Sequence, residues 1–93
     1  LIDFKEFNII KKNAILINVC RGPVIHEKAL VDALKKRKLF GAGIDVFEKE
    51  PIKLKNKLLK FKNCIFTSHN AFNTIEAVKQ TNKNTIENLL KEF

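Results

Sequence analysis

The sequence has no apolar run long enough to cross a membrane. Such a span needs about 20 consecutive apolar residues, and no apolar stretch of the 93 residues approaches that length. The first residues do not resemble a signal peptide either, because Asp3, Lys5 and Glu6 interrupt them with charges. A membrane protein is therefore not predicted, and a cytoplasmic protein is expected.

The cysteines and histidines form no metal-binding or redox motif. Cys20 and Cys64 belong to no CxxC pair, and His26 and His69 do not have metal-ligand spacing. No metal is assigned on this basis. Both cysteines lie in apolar, strand-like sequence, which predicts buried, reduced thiols of a cytosolic protein.

Acidic residues are few, ten against 18 lysines and arginines, and the formal net charge is +8. The lysines are nevertheless scattered along the whole chain. The one dense basic run, 35–38, follows a helical pattern, where cations complement the helix dipole. No pattern interleaves charges with base-stacking aromatic residues. The sequence therefore favours a solvated basic surface over nucleic-acid binding, and attraction of a polyanion or a cofactor phosphate stays open as the alternative.

What the chain does contain is an alternation of helix and strand patterns. Apolar runs typical of buried strands lie at 14–20, 41–47 and 63–68. Apolar residues recur at helical spacing in 3–12, 26–38 and 74–93. The order α, β, α, β, loop, β, α predicts an α/β fold: a three-stranded parallel sheet with flanking helices. Because so thin a sheet leaves its edges unpaired, it looks like half of a doubly wound domain.

A chemically useful residue accompanies the end of each predicted strand, which is the side where open α/β sheets bind ligands. Arg21 follows the first strand, the second delivers Asp45 and then Glu50, and His69 follows the third. Taken singly, Arg21 and Glu50 are more simply structural, and His69 is an even choice. Asp45 is harder to dismiss, since an isolated buried carboxylate is costly. Together the four residues predict one site at the rim of the sheet.

These residue types support a specific chemistry. The planar fork of Arg21 can grip a substrate carboxylate and polarise an adjacent carbonyl. His69 can donate a proton to that carbonyl oxygen. Glu50, if it lies beside His69, would favour the imidazolium and keep the acid protonated near neutrality. No side chain can supply a hydride, so reduction of the carbonyl would require a nicotinamide cofactor.

Four stretches, INVCRGPV, ALVDAL, GAGIDVFEKEP and NCIFTSHNAFNT, resemble the second half of the NAD-binding domain of the D-isomer-specific 2-hydroxyacid dehydrogenases. The last stretch looks most similar to the D-lactate dehydrogenase-type members. The resemblance implies three catalytic residues: Arg21 binding substrate, Glu50 pairing with the histidine, and His69 acting as acid/base. It also implies that Asp45 hydrogen-bonds the nicotinamide carboxamide. Further residues that match the lining of the nicotinamide end are Val19, Cys20, Arg21, His69, Asn70, Ala71 and Phe72.

The resemblance thus implies an NAD-dependent oxidoreductase that reduces a 2-keto acid such as pyruvate to a D-2-hydroxy acid, in a homodimer. The chain lacks the GxGxxG phosphate-binding turn, however. Residues 1–93 are therefore expected to form a partial NAD-binding domain, inactive alone, whose terminal helix 74–93 leads toward an absent substrate domain. The alternative is an inactive remnant that acts as a dimerising interaction module. Arg37, where the family usually has glycine after the helix, is expected to need a left-handed conformation.

Overall fold

The structure, a computed structural model, describes residues 1–92. Its elements follow the predicted order of helices and strands. The helices are α1 (Phe4–Ile9), α2 (Glu27–Lys35) and α3 (Ile75–Lys91). The strands are β1 (Ala14–Asn18), β2 (Leu39–Ile44) and β3 (Cys64–Phe66). Single 3-10 turns occupy Gly22–Val24 and Lys57–Lys60.

The three strands form one parallel sheet in the order β1-β2-β3. Residues Ile17, Gly43 and Ile65 lie side by side across it. The predicted α/β fold with a three-stranded parallel sheet is therefore confirmed. The second strand begins earlier and ends earlier than the predicted 41–47, so Asp45 directly follows β2 rather than lying inside it.

The core lies on one face of the sheet, where α1 and α2 pack. Phe7 of α1 and Leu30 of α2 are buried in one cluster with Ile44 of β2. The side chains that alternate with the core residues point away from it. Three isoleucines of β1 and β3 are largely solvent-accessible there, with exposed fractions of 63% for Ile15, 68% for Ile17 and 73% for Ile65. Over residues 1–92, one face of the sheet is packed and the other is bare.

Local signals set the ends of the helices. Asp3 begins α1 through a capping box with Glu6. Arg37 follows α2 with a φ of 54°, the left-handed conformation expected from its place after the helix. The Thr74 hydroxyl accepts a hydrogen bond from the Ala77 amide (3.0 Å) and so caps α3. Helix α3 has no buried residue, and the last residue of the predicted 74–93 segment, 93, lies outside the described residues.

The prediction that both cysteines are buried is wrong for Cys20. Strand β1 ends at Asn18, so Cys20 lies in the exposed loop beyond the hydrogen-bonded ladder. Cys64 is partly buried in β3, and this burial raises the pKa of its thiol. Both thiols are free. Within residues 1–92, no cluster of acidic, histidine and cysteine side chains is suited to a metal ion, and none of the helices has the length and apolar content of a membrane span.

Candidate active site

The loop after β1 is held in place by Asn18, the last residue of that strand. Its side chain is buried, donates to the carbonyl oxygen of Arg21 (3.0 Å) and accepts from the amide of Cys20 (3.1 Å). Its carbonyl oxygen also accepts from the amide of Asp45 (3.0 Å). Asn18 therefore ties the ends of β1 and β2 together. Asn18 was not among the predicted site residues, although a polar residue at the end of an apolar strand is a usable signal.

Arg21 is exposed in the loop that follows β1, three residues after the strand ends at Asn18. Its Nη1 donates to the carbonyl oxygen of Cys20 (2.7 Å). The next residue, Gly22, packs directly on the segment that follows β2, because a Cβ at this position would lie 1.9 Å from the Phe47 carbonyl oxygen. The glycine thus lets the Arg21 loop approach the segment that carries Glu50.

Glu50 and His69 are in direct contact. Glu50 Oε2 lies 2.8 Å from His69 Nδ1, and Oε1 accepts from the amide of Phe47 (3.0 Å). The Phe47 amide first, and His69 second, hold the pKa of Glu50 below its usual value of 4.5. Glu50 is therefore ionised near neutrality. Because a carboxylate only accepts hydrogen bonds, Nδ1 must carry the proton, which leaves Nε2 as the nitrogen available for chemistry.

Asp45 is almost fully buried, with 2% of its surface exposed, and it has several donors. Oδ1 accepts from the Thr67 hydroxyl and from the amide of Asn70 (3.0 Å), and Oδ2 accepts from the amide of Ala71 (3.0 Å). The Thr67 hydroxyl, ahead of the two amides, holds the pKa of Asp45 below its usual value of 3.8, although burial opposes the shift. The carboxylate is therefore charged and well satisfied.

These residues line an open cavity of about 490 Å³ at the carboxyl ends of β2 and β3. Four of the predicted site residues share it: Asp45, Glu50, His69 and Asn70. Most of the remaining wall is apolar: Phe47, Pro51, Ile52, Leu59 and Phe66. The other predicted residues do not line this cavity: Val19, Cys20, Arg21, Ala71 and Phe72. Thr67 and the apolar wall were not predicted either, because the residues of the wall come from chain segments distant from one another.

Glu50 and His69 form a candidate acid/base pair beside the apolar wall of the cavity. A charged carboxylate fixes a histidine whose second nitrogen has no hydrogen-bond partner among residues 1–92, which is the arrangement expected for proton transfer. The buried carboxylate of Asp45 lies at the same cavity and can accept from an amide donor, because Oδ2 accepts only the Ala71 amide among the described residues. The arrangement is suited to a small polar reactant beside an apolar or aromatic one.

Comparison with known proteins gives consistent matches over most of the chain. Residues 1–71 match the family model described as "D-isomer specific 2-hydroxyacid dehydrogenase, NAD binding domain". The chain is 41% identical over 90 residues to glyoxylate/hydroxypyruvate reductase B of Enterobacter sp. (strain 638), an alignment that covers 97% of this chain and 28% of the relative.

Solved structures agree. The apo form of Rhodotorula graminis D-mandelate dehydrogenase superposes with a TM-score of 0.77 at 38% identity, covering 96% of this chain and 26% of that one. An NADPH-dependent glyoxylate/hydroxypyruvate reductase from Sinorhizobium meliloti, in complex with NADP and malonate, gives a TM-score of 0.72 at 36% identity, covering 82% and 24%. The chain therefore spans about a quarter of the length of the proteins that it matches.

Proposed function

Because the chain belongs to the D-isomer specific 2-hydroxyacid dehydrogenase family, through its NAD-binding domain, we propose that it carries the acid/base half of a dehydrogenase active site. The reaction is the interconversion of a 2-keto acid and a D-2-hydroxy acid. The observation that carries the proposal is the 2.8 Å contact between Glu50 and His69 at the cavity beyond β2 and β3.

In this proposal His69 is the general acid for reduction and the general base for oxidation. Ionised Glu50 occupies Nδ1, so Nε2 is the nitrogen that delivers a proton to the carbonyl oxygen and takes it back in the reverse reaction. Arg21 binds the substrate carboxylate through its planar fork. Since Arg21 does not line the cavity, we place the substrate between its loop and His69, with the second wall supplied by residues beyond this chain.

The residues present fit a nicotinamide group. The second oxygen of Asp45 has capacity to accept from a carboxamide N–H, and the nearby wall is apolar. Such a cofactor, when bound, supplies the hydride that no side chain can. We propose that the residues lining its nicotinamide end are Val19, Cys20, Arg21, Asp45, His69, Asn70, Ala71 and Phe72. One relative is named as NADPH-dependent, so both NADH and NADPH are tested as the cofactor.

For the substrate we propose a small 2-keto acid. Relatives are named glyoxylate/hydroxypyruvate reductases, so these two acids join pyruvate in the panel to be tested. The short acids differ at the group attached to the keto carbon. The ranking of the three acids by kcat/KM would therefore show whether the pocket around that group favours a small, an apolar or a polar substituent.

A chimera tests the proposal. The 90 residues of the Enterobacter reductase that match this chain are replaced by those of this chain. We expect the chimera to reduce at least one of glyoxylate, hydroxypyruvate and pyruvate with NADH or NADPH, whereas the isolated 93 residues show no turnover. A chimera that folds and binds cofactor but shows no turnover on any of the three acids would contradict the proposal.

We further propose that residues 1–93 form a partial NAD-binding domain and that the first half of such a domain covers the bare sheet face. Parallel sheets are ordinarily covered on both faces, and the chain is about a quarter as long as its relatives. The terminal helix, α3, would then lead toward the substrate domain. The same bare face favours the second candidate, a dimerising module. That candidate predicts a dimer of the isolated chain in sedimentation equilibrium, unaffected by Arg21→Ala or His69→Ala.

A further inference from the structure

The loop that carries His69 is fastened to one residue, Asp45, at four points. The Asp45 carbonyl oxygen accepts from the amide of His69 (3.0 Å). The two carboxylate oxygens accept from the Thr67 hydroxyl and from the amides of Asn70 and Ala71. Asp45, directly after β2, therefore hydrogen-bonds to the loop both before His69, at Thr67, and after it, at Asn70 and Ala71.

The backbone of His69 needs this fastening. Its φ is 57°, in the left-handed region that residues with a Cβ seldom adopt. Such a conformation persists only where the surrounding contacts determine it. The backbone conformation also determines the direction of the imidazole, whose Nδ1 lies 2.8 Å from Glu50 Oε2.

Thr67 links this loop to the rigid part of the fold. Its amide donates to the carbonyl oxygen of Ile44 (3.1 Å), which extends the β2–β3 ladder by one bond. Its hydroxyl donates to Asp45 Oδ1. The hydroxyl therefore fixes the rotation of a carboxylate whose two oxygens each accept from a loop amide. Without the hydroxyl, only those two amides of the loop itself would orient the carboxylate.

We propose that Thr67 is a positioning residue of the acid/base site. Its hydroxyl orients the Asp45 carboxylate, and the oriented carboxylate holds His69 in the left-handed conformation that brings Nδ1 to Glu50. The role assigned to His69 rests on the proposed function, but the positioning is a property of the loop and can be measured without turnover.

The test compares Thr67→Val, which keeps the side-chain volume without the hydroxyl, with Thr67→Ser, which keeps the hydroxyl. Amide exchange of Asn70 and Ala71 and the ring nitrogen shifts of 15N-labelled histidine are measured by NMR on the 93-residue chain. The chain has two histidines, and His26, paired with Asp3 at 2.8 Å, serves as the internal reference. Thr85→Val, which removes a hydroxyl in α3, is the matched control.

In Thr67→Val we expect the two amides to exchange about tenfold faster, the effect of losing one hydrogen bond to a charged group. We also expect the His69 ring to lose its single Nδ1–H tautomer, while the His26 signals stay unchanged. Thr67→Ser should restore both readouts, and Thr85→Val should alter neither. Unchanged protection and tautomer in Thr67→Val would overturn the proposal, whatever the activity of the chimera.

A second variant is needed if Thr67→Val also speeds amide exchange in β2, because such a change would indicate a general loss of structure. Asp45→Asn retains the shape of the side chain but offers one acceptor oxygen instead of two, so three donors compete for it. Release of the Asn70 or Ala71 amide with β2 still protected would support the proposal. Retention of both amides in Asp45→Asn would overturn it.

Discussion

His26 and His69 make the same contact with different consequences. Each places Nδ1 2.8 Å from a carboxylate oxygen, His26 with Asp3 and His69 with Glu50. His26 lies at the start of α2 with its ring in edge contact with Phe4. His69 lines the cavity at the carboxyl ends of the strands. A carboxylate partner alone does not make a catalytic histidine, because the second ring nitrogen must also face a space that a reactant can enter.

The two histidines therefore provide a matched pair for mutation in the chimera. We expect His69→Gln to lower kcat by about 100- to 10,000-fold, the usual contribution of a general acid. His26→Gln should leave kcat within a factor of about two, because His26 lies outside the cavity and its contact with Asp3 is exposed. Steady-state kinetics on the best 2-keto acid measures both. Comparable losses in the two variants would refute the assignment of His69.

The two cysteines should differ in reactivity. Cys20 is exposed, whereas Cys64 is half-buried and its thiol has a raised pKa because of burial. Since the thiolate is the reactive form, we expect iodoacetamide to label Cys20 first near pH 8. Mass spectrometry of a time course, with Cys20→Ser as the control, gives the order. Faster labelling at Cys64 would contradict the expected order.

At the scale of elements, the close approach of the β1 exit to the β2 exit depends on Gly22. A methyl group there would lie 1.9 Å from the Phe47 carbonyl oxygen, which is backbone and cannot move aside easily. At Gly43 the same methyl group would meet only the Ile17 side chain, at 3.7 Å, an ordinary contact. The two glycines thus differ in what the fold requires of them.

We expect Gly22→Ala to lower the free energy of unfolding by about 1–3 kcal/mol or more, as overpacking does. Gly43→Ala should change it by less than about 1 kcal/mol, because a strand gains from the loss of glycine flexibility. Urea denaturation followed by circular dichroism measures both. Equal effects would mean that the segment 47–48 yields to the added methyl group.

A pH dependence is expected where α1 meets α2. The hydrogen bond from His26 first, and the Phe4 amide second, lower the pKa of Asp3 from 3.8. Since the folded-state pKa lies below the unfolded one, this contact stabilises the fold above the unfolded pKa, and the contribution is lost as the pH falls through the folded value. Wild type and Asp3→Asn should therefore differ in urea midpoint at pH 6 and converge in stronger acid. A constant difference across the pH range would contradict this.

The order of elements was predictable because the apolar periodicity of each segment is local. Their ends were not, since individual side-chain hydrogen bonds decide them: the Asn18 side chain binds the backbone of Cys20 and Arg21 after β1, and Cys20 is exposed there. The strand ends also suggested Asp45, Glu50 and His69. Thr67 was not predicted, because nothing in the sequence indicates that its hydroxyl hydrogen-bonds to Asp45, 22 residues away.

At the scale of the whole molecule, the central fact is that the parallel sheet is packed on one face only by residues 1–92. Ile15, Ile17 and Ile65 are exposed on the other face, and α3 buries none of its residues. Parallel sheets are normally covered on both faces. If the first half of an NAD-binding domain covers this face in the assembled protein, the energetic importance of these isoleucines must depend on whether that half is present.

Ile17→Ala tests this dependence by measuring one substitution in two contexts. In the isolated chain we expect a loss of stability below about 1 kcal/mol, because Ile17 is 68% exposed and little contact is removed. In the chimera we expect about 2–5 kcal/mol, the usual result of truncating a buried isoleucine. Ile9→Ala on α1, where the side chain is 86% exposed, is the control and should have a small effect in both. Equal losses for Ile17→Ala would mean that the face stays bare, whereas a large loss in the isolated chain together with a dimer in sedimentation would show that a second copy covers it.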